Sequence, residues 1–177
     1  QSDDLDLSLS LLGWSATLAE NSGDLDRAAS IRMHAWALAP TADIARDEVL
    51  RLHEAREDWE SLASSLDRAT DLAAGEEALG FKRRLAALEM DQIGQPERAL
   101  SHLREILSAH ADDKETWRAI EGVLAHETNE IRELAIQAIA YGETKGAPVA
   151  RVRELLQGAA ADKDAKVRQL AEMGLRS

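Results

Sequence analysis

Apolar and polar residues alternate along this chain with the period of an α-helix. The clearest stretch is Ala99, Leu100, Leu103, Ile106 and Leu107, whose spacings gather apolar groups on one side of a helix. Such stretches come in pairs around a turn. Gly23-Asp24-Leu25-Asp26-Arg27-Ala28, Glu57-Asp58-Trp59-Glu60-Ser61-Leu62 and Gly94-Gln95-Pro96-Glu97-Arg98-Ala99 each place a turn five positions ahead of a small or apolar residue, and their starts lie 34 and 37 residues apart. Helical stretches precede these turns, as at 44–55 and 79–93, and follow them, as at 62–72 and 99–109. The pattern predicts helix, turn, helix, repeated, with a three-residue insertion within Ala74 to Leu79.

The placement of small residues in these units resembles the tetratricopeptide repeat family, whose 34-residue helix pair carries a small residue where its helices cross and often a proline at its end. In a first unit, 9–42, those positions hold Ala16, Gly23, Ala28, Ala35 and Pro40; in a looser second unit, 43–76, they hold Leu50, Glu57, Leu62, Ala69 and Ala74. The third, 80–113, has Leu85-Ala86-Ala87-Leu88 before its turn and Ala99, Leu103 and Ile106 after it, and Trp117, Ile120 and Leu124 open a partial fourth at 114–125. Small residues let two helix backbones approach to about 8 Å, so a large side chain in place of Ala99 is expected to splay its pair.

The resemblance implies an all-α chain wound as a right-handed α–α superhelix, a solenoid in which each pair hides its apolar face only against the next. It also implies a concave surface built from first helices. Residue matching puts Asp47, Arg51 and Glu54 of the second unit there, with Phe81, Arg84, Leu88 and Asp91 of the third and Arg118 of the fourth. The family's clamp for C-terminal carboxylates uses asparagine and lysine in that groove. Here the asparagine position holds Thr17, Arg51 and Leu88 in successive units, which argues against a receptor of that kind.

After Ala125 the pattern changes. Glu130-Ile131-Arg132-Glu133-Leu134-Ala135 and Ala165-Lys166-Val167-Arg168-Gln169-Leu170-Ala171 resemble each other, with arginines 36 residues apart, and both are similar to the second helix of a HEAT-like repeat, with Val149 to Leu156 as a first helix between them. The region 126–177 is therefore expected to form a HEAT-like helical segment. In that family the arginine is structural, its guanidinium binding acidic or carbonyl groups of the neighbouring turn. Tyr141 to Pro148 reads as the clearest loop and the best candidate hinge, because glycine can end a helix and proline can begin one.

Composition narrows the partners. Only 3% of the 177 residues are aromatic and there are just three prolines, which favours helix over sheet. The formal charge is −12, and residues 1–76 alone hold sixteen acidic side chains against six basic ones. Such a surface repels nucleic acid and anionic membranes, and it either keeps the chain soluble or docks a basic partner. Cysteine is absent, no apolar run is long enough to span a bilayer, and no secretion signal opens the chain. A cytoplasmic location is the expectation, and the start at Gln1 reads as that of a cut or processed piece of a larger repeat protein.

The search for chemistry returns little. His53-Glu54-x-x-Glu57 and His126-Glu127-x-x-Glu130 have glutamate where the helical zinc motif needs a second histidine, and His102 and His110 stand about 12 Å apart along one helix, too far to share an ion unaided. No nucleophile elbow or phosphate loop is present, so no catalytic residue, metal site or cofactor is assigned. Asp112-Asp113 and Asp162 to Asp164 read as helix caps, and the four tryptophans as core filling unless exposed. The sequence therefore predicts a non-enzymatic scaffold that binds a protein or peptide. The alternative is an accessory or regulatory module of a multidomain enzyme.

Overall fold

The computed structural model describes residues 2–126 and 128–176, so Glu127 of the second histidine motif lies outside it. The described residues form ten α-helices and no strand: α1 (Ser2–Asn21), α2 (Leu25–Leu38), α3 (Asp43–Ala55), α4 (Trp59–Leu72), α5 (Gly75–Leu88), α6 (Pro96–Ala109), α7 (Lys114–Leu124), α8 (Asn129–Thr144), α9 (Val149–Ala159) and α10 (Ala165–Arg176). A single π-helical turn, Glu89–Ile93, continues α5. None of these helices is long and apolar enough to cross a membrane. Consecutive helices pack on one another in two compact units, divided between Phe81 and Lys82.

In the first unit, α2 packs on both α1 and α3, and α3 packs on α4. Small residues make this possible: Ala19 of α1, Ala28 and Ala29 of α2 and Leu52 of α3 form one buried cluster, and Trp36, Val49 and Ala69 form another with Phe81 against it. In the second unit α6 packs on α7 and α8, and α8 also packs on α7, α9 and α10. Its core includes Leu100, Leu103, Ile106 and Leu107, the stripe that defines the helical period in the sequence, together with Trp117, Ile120 and Ile139. Each of these side chains contributes about 1.5–3 kcal/mol by leaving water, and this packing rather than helix length holds the helices together.

The turns work as their residues dictate. Gly23, Gly94 and Gly146 adopt positive φ of 80°, 72° and 87°, closing the helices before them. Glu57 takes the same left-handed conformation at φ 54°, and its N–H and that of Asp58 cap the carbonyls of Glu54 and His53. Asp24, Asp58 and Asp113 then each accept the N–H three residues on, from Arg27 (3.0 Å), Ser61 (3.3 Å) and Thr116 (2.7 Å), so these acids start helices. Asp164 does the same for α10 through Lys166 (2.8 Å) and Val167 (3.2 Å).

Two sequence expectations are corrected. Tyr141 to Thr144 belong to α8, and only residues 145–148 connect it to α9. Gly142 is no hinge: a Cβ there would lie 2.7 Å from Cη2 of Trp117, so the glycine is the notch that admits the indole. Second, the three-residue insertion expected within Ala74 to Leu79 is divided, since α5 begins at Gly75 and its buried residues already stand 36 rather than 34 positions after those of α3. The extra residues lengthen a helix, and one of them is absorbed by the π-turn.

Candidate functional site

The π-turn sets the register of everything near it. Before the turn, the buried residues Leu85, Ala86, Leu88 and Glu89 repeat Val49, Leu50, Leu52 and His53 of α3 at an offset of 36; after it, Gly94 repeats Glu57 at 37. One additional residue rotates a helix face by about 100°, so an alignment anchored on the turn misassigns the face of α5 by one position.

With the offset of 36, Asp47, Arg51 and Glu54 correspond to Arg83, Ala87 and Met90, which have Ala119, Val123 and His126 as neighbours. All six of the latter line one groove of the second unit, of about 300 Å³. Two stripes at i, i+4 and i+7, one from α5 with its π-turn and one at the end of α7, thus face a common space. Ala86, Leu103 and the bare backbone of Gly122 complete its apolar floor, and Asp91 adds a carboxylate at the rim.

Arg83 fixes the wall. It donates from Nη2 to Asp113 Oδ2 at 2.8 Å and from Nη1 to Glu115 Oε2 at 3.0 Å, tying α5 to the first turn of α7. Burial works to raise the Asp113 pKa, but hydrogen bonds from Thr116 and Arg83 outweigh it and hold the carboxylate below the usual range. Behind the π-turn, the fully buried Glu89 lies 3.1 Å from Arg98 and 3.4 Å from His102 of α6. The Arg98 ion pair connects the widened turn to the next helix.

The residues matched from sequence are scattered differently. Asp47 is exposed and accepts a bond from Arg46, Arg51 is half-exposed and pairs with Glu20 (2.5 Å) and Glu48 (2.7 Å), and Glu54 is exposed. Phe81 is spent in the core beside Trp36, with the Arg46 guanidinium over its ring at 4.7 Å. Leu88 is buried at 8% exposure and cannot offer apolar contact to a visitor. Arg84 and Arg118 are exposed, but Arg118 lines a separate cleft with Trp117 and Arg151. Only Asp91 of the second unit's matched residues enters the groove. Arg83, Ala87 and Met90 lay one position from the matched residues, and the 37-residue spacing was the signal that a helix had gained a residue; Ala119, Val123 and His126 carried no such signal. No family model, curated protein or solved structure matches the chain.

The histidine motifs separate in space. His53 is 3% exposed with no hydrogen bond to its imidazole, whereas Glu54 faces solvent and Glu57 sits in the turn. Burial pushes the His53 pKa below 6.5, the nearby Asp58 (3.7 Å) only partly opposing it. Among the described residues no three His, Asp or Glu side chains gather as metal ligands. Arg132 is 3% exposed and donates to Asp162 twice, from Nε to Oδ2 and from Nη2 to Oδ1, both 2.8 Å, and from Nη1 to the carbonyl of His126 at 2.8 Å. Arg168 donates to the carbonyls of Asp162 (2.8 Å) and Lys163 (2.9 Å). Both arginines thus bind turn carbonyls or carboxylates, the structural use expected of them from sequence.

Proposed function

We propose that this chain is a helical-repeat scaffold, tetratricopeptide-like to about Ala125 and HEAT-like beyond it, that binds a segment of a protein partner without catalysis. The observation that carries the reading is the convergence of the 83/87/90 and 119/123/126 stripes on one groove. Its walls are alanine, methionine and valine, which suits the apolar side chains of a bound peptide, and its charged rim suits recognition by polar flanks. Arg83 is engaged with Asp113 and Glu115, so it shapes the groove rather than acting on a substrate. The offset of 36 between the buried faces of α3 and α5, repeated between Arg132 and Arg168, supports a repeat architecture.

The test fills the groove. Ala87 and Ala119 line it and are solvent-exposed, so Ala87→Gln with Ala119→Gln occludes the site while leaving the core intact. Quantitative capture from lysate with the wild-type chain and this variant should show at least one specific partner whose binding falls tenfold or more. Identical partner profiles for both proteins would overturn the reading.

A further inference from the structure

His53 borders a cavity whose counterpart in the second unit is occupied by side chains. On the offset of 36 its counterpart is Glu89; on the offset of 37 that holds after the π-turn, Ser61, Ser65 and Arg68 of α4 correspond to Arg98, His102 and Glu105 of α6. In the second unit the long side chains answer the buried acid, Arg98 at 3.1 Å and His102 at 3.4 Å from Glu89. In the first unit those two positions are serines. Neither ring nitrogen of His53 has a hydrogen bond, although both are shut off from water. Asp58, 3.7 Å away, spends its carboxylate on Ser61 and Arg56. The short side chains leave a cavity of about 380 Å³ between α2, α3 and α4, walled by Trp36, His53, Ser64, Ser65 and Arg68. That is the size of a small-molecule site.

Arg68 supplies the charge. Its guanidinium lies over the Trp36 indole at 4.2 Å, and among the described residues it pairs with no carboxylate. Stacking uses the face of the guanidinium and leaves its N–H edge free, the edge that grips a planar carboxylate through two hydrogen bonds. Its counterpart Glu105, by contrast, is paired with Lys82 at 2.7 Å. The acid on the cavity rim, Glu60, stands two helical turns before Arg68, about 12 Å along α4, too far to neutralise it. Ser65 and His53 form the other end. Burial keeps the imidazole uncharged at pH 7, so it presents one N–H and one bare nitrogen, and a ligand that supplies the missing hydrogen bond removes the cost of leaving them unpaired. The surplus of acid in residues 1–76 repels a polyanion or an acidic protein segment, whereas a single small anion inside the cavity meets Arg68.

We propose that this cavity of the first unit binds a small free carboxylate bearing a hydroxyl at its far end, the carboxylate on Arg68, the hydroxyl toward Ser65 and the His53 imidazole, and the body against Trp36. The site is independent of the groove of the second unit, and either can fail without the other. The probe is para-hydroxybenzoate. Benzoate lacks the hydroxyl, para-hydroxybenzamide keeps the shape without the charge, and N-acetylglutamate amide offers a carboxylate as a protein side chain presents it. Binding is followed by calorimetry and by NMR shifts of the amide, indole and imidazole signals.

Para-hydroxybenzoate should bind with shifts confined to α2, α3 and α4, at least tenfold tighter than para-hydroxybenzamide and several-fold tighter than benzoate. Arg68→Gln should weaken it at least tenfold. His53→Met preserves the bulk of the side chain and should bring para-hydroxybenzoate and benzoate to the same affinity, a loss of discrimination that a purely structural role for His53 does not produce. Ser64→Leu alters only an exposed side chain of the wall and should block the probe with the thermal melt unchanged, so the test stands even where another variant unfolds. No binding at about 5 mM, equal affinity for the amide, or unchanged affinity in Arg68→Gln and Ser64→Leu would overturn the proposal. So would equal or tighter binding of N-acetylglutamate amide, which would make an acidic side chain of a partner the occupant.

Discussion

Removing the Asp162 carboxylate tests how the second unit is held together. Arg132 is almost fully buried and donates two charge-assisted hydrogen bonds to that one side chain, both 2.8 Å. Asp162 Oδ1 also accepts the Asp164 N–H at 2.8 Å, so the same group shapes the turn before α10. In Asp162→Ala the guanidinium keeps the His126 carbonyl but loses its bidentate carboxylate in a desolvated site. Stranding one member of a buried pair costs about 3–5 kcal/mol, whereas a surface pair would cost under about 1 kcal/mol. Asp162→Asn retains an acceptor for Asp164 and should lose roughly half as much. Adding Arg132→Met to Asp162→Ala removes the stranded charge and should recover at least about 1 kcal/mol. Amide hydrogen exchange is the suitable assay, since it reports α8, α9 and α10 separately from the first unit. A loss below about 1 kcal/mol for Asp162→Ala, or no recovery in the double variant, would show that the clamp is a solvated contact rather than a buried one.

Other outcomes follow from single sites. Gly142→Ala should destabilise by about 1–2 kcal/mol in thermal melts, since a clash with Trp117 outweighs the helix preference of alanine, while Gly80→Ala, with open space around its Cβ, should stabilise by about 0.5–1 kcal/mol. Glu57→Gly should stabilise by about 0.5 kcal/mol in urea titrations, because glycine relieves the left-handed backbone and gives back only part of the gain as unfolded-state entropy. The depressed His53 pKa means that the unfolded chain takes up a proton more readily. The stability it confers is complete above pH 6.5 and should fall as pH drops through the folded value, a decline that His53→Met should flatten in denaturation series from pH 7.5 to 5.

Much of the fold was legible in the chain itself. The apolar period, the Gly-Asp and Glu-Asp turns and the capping aspartates act within one or two helical turns, so local spacing was enough to place the helix pairs and the paired use of Arg132 and Arg168. What the spacing could not locate was the single residue taken up by the π-turn at Glu89–Ile93. A backbone can absorb an extra residue in a loop, a longer helix or a widened turn with the same sequence length, and only packing decides among them. That choice turned Arg83, Ala87 and Met90 into the groove in place of Arg84 and Leu88, with Asp91 left at its rim. Exposure was likewise decided by the neighbours: Trp36 and Trp14 are the same residue on similar helices, yet one is 1% exposed against Val49 and Ala69 and the other 77% exposed because no helix of the first unit covers that side of α1.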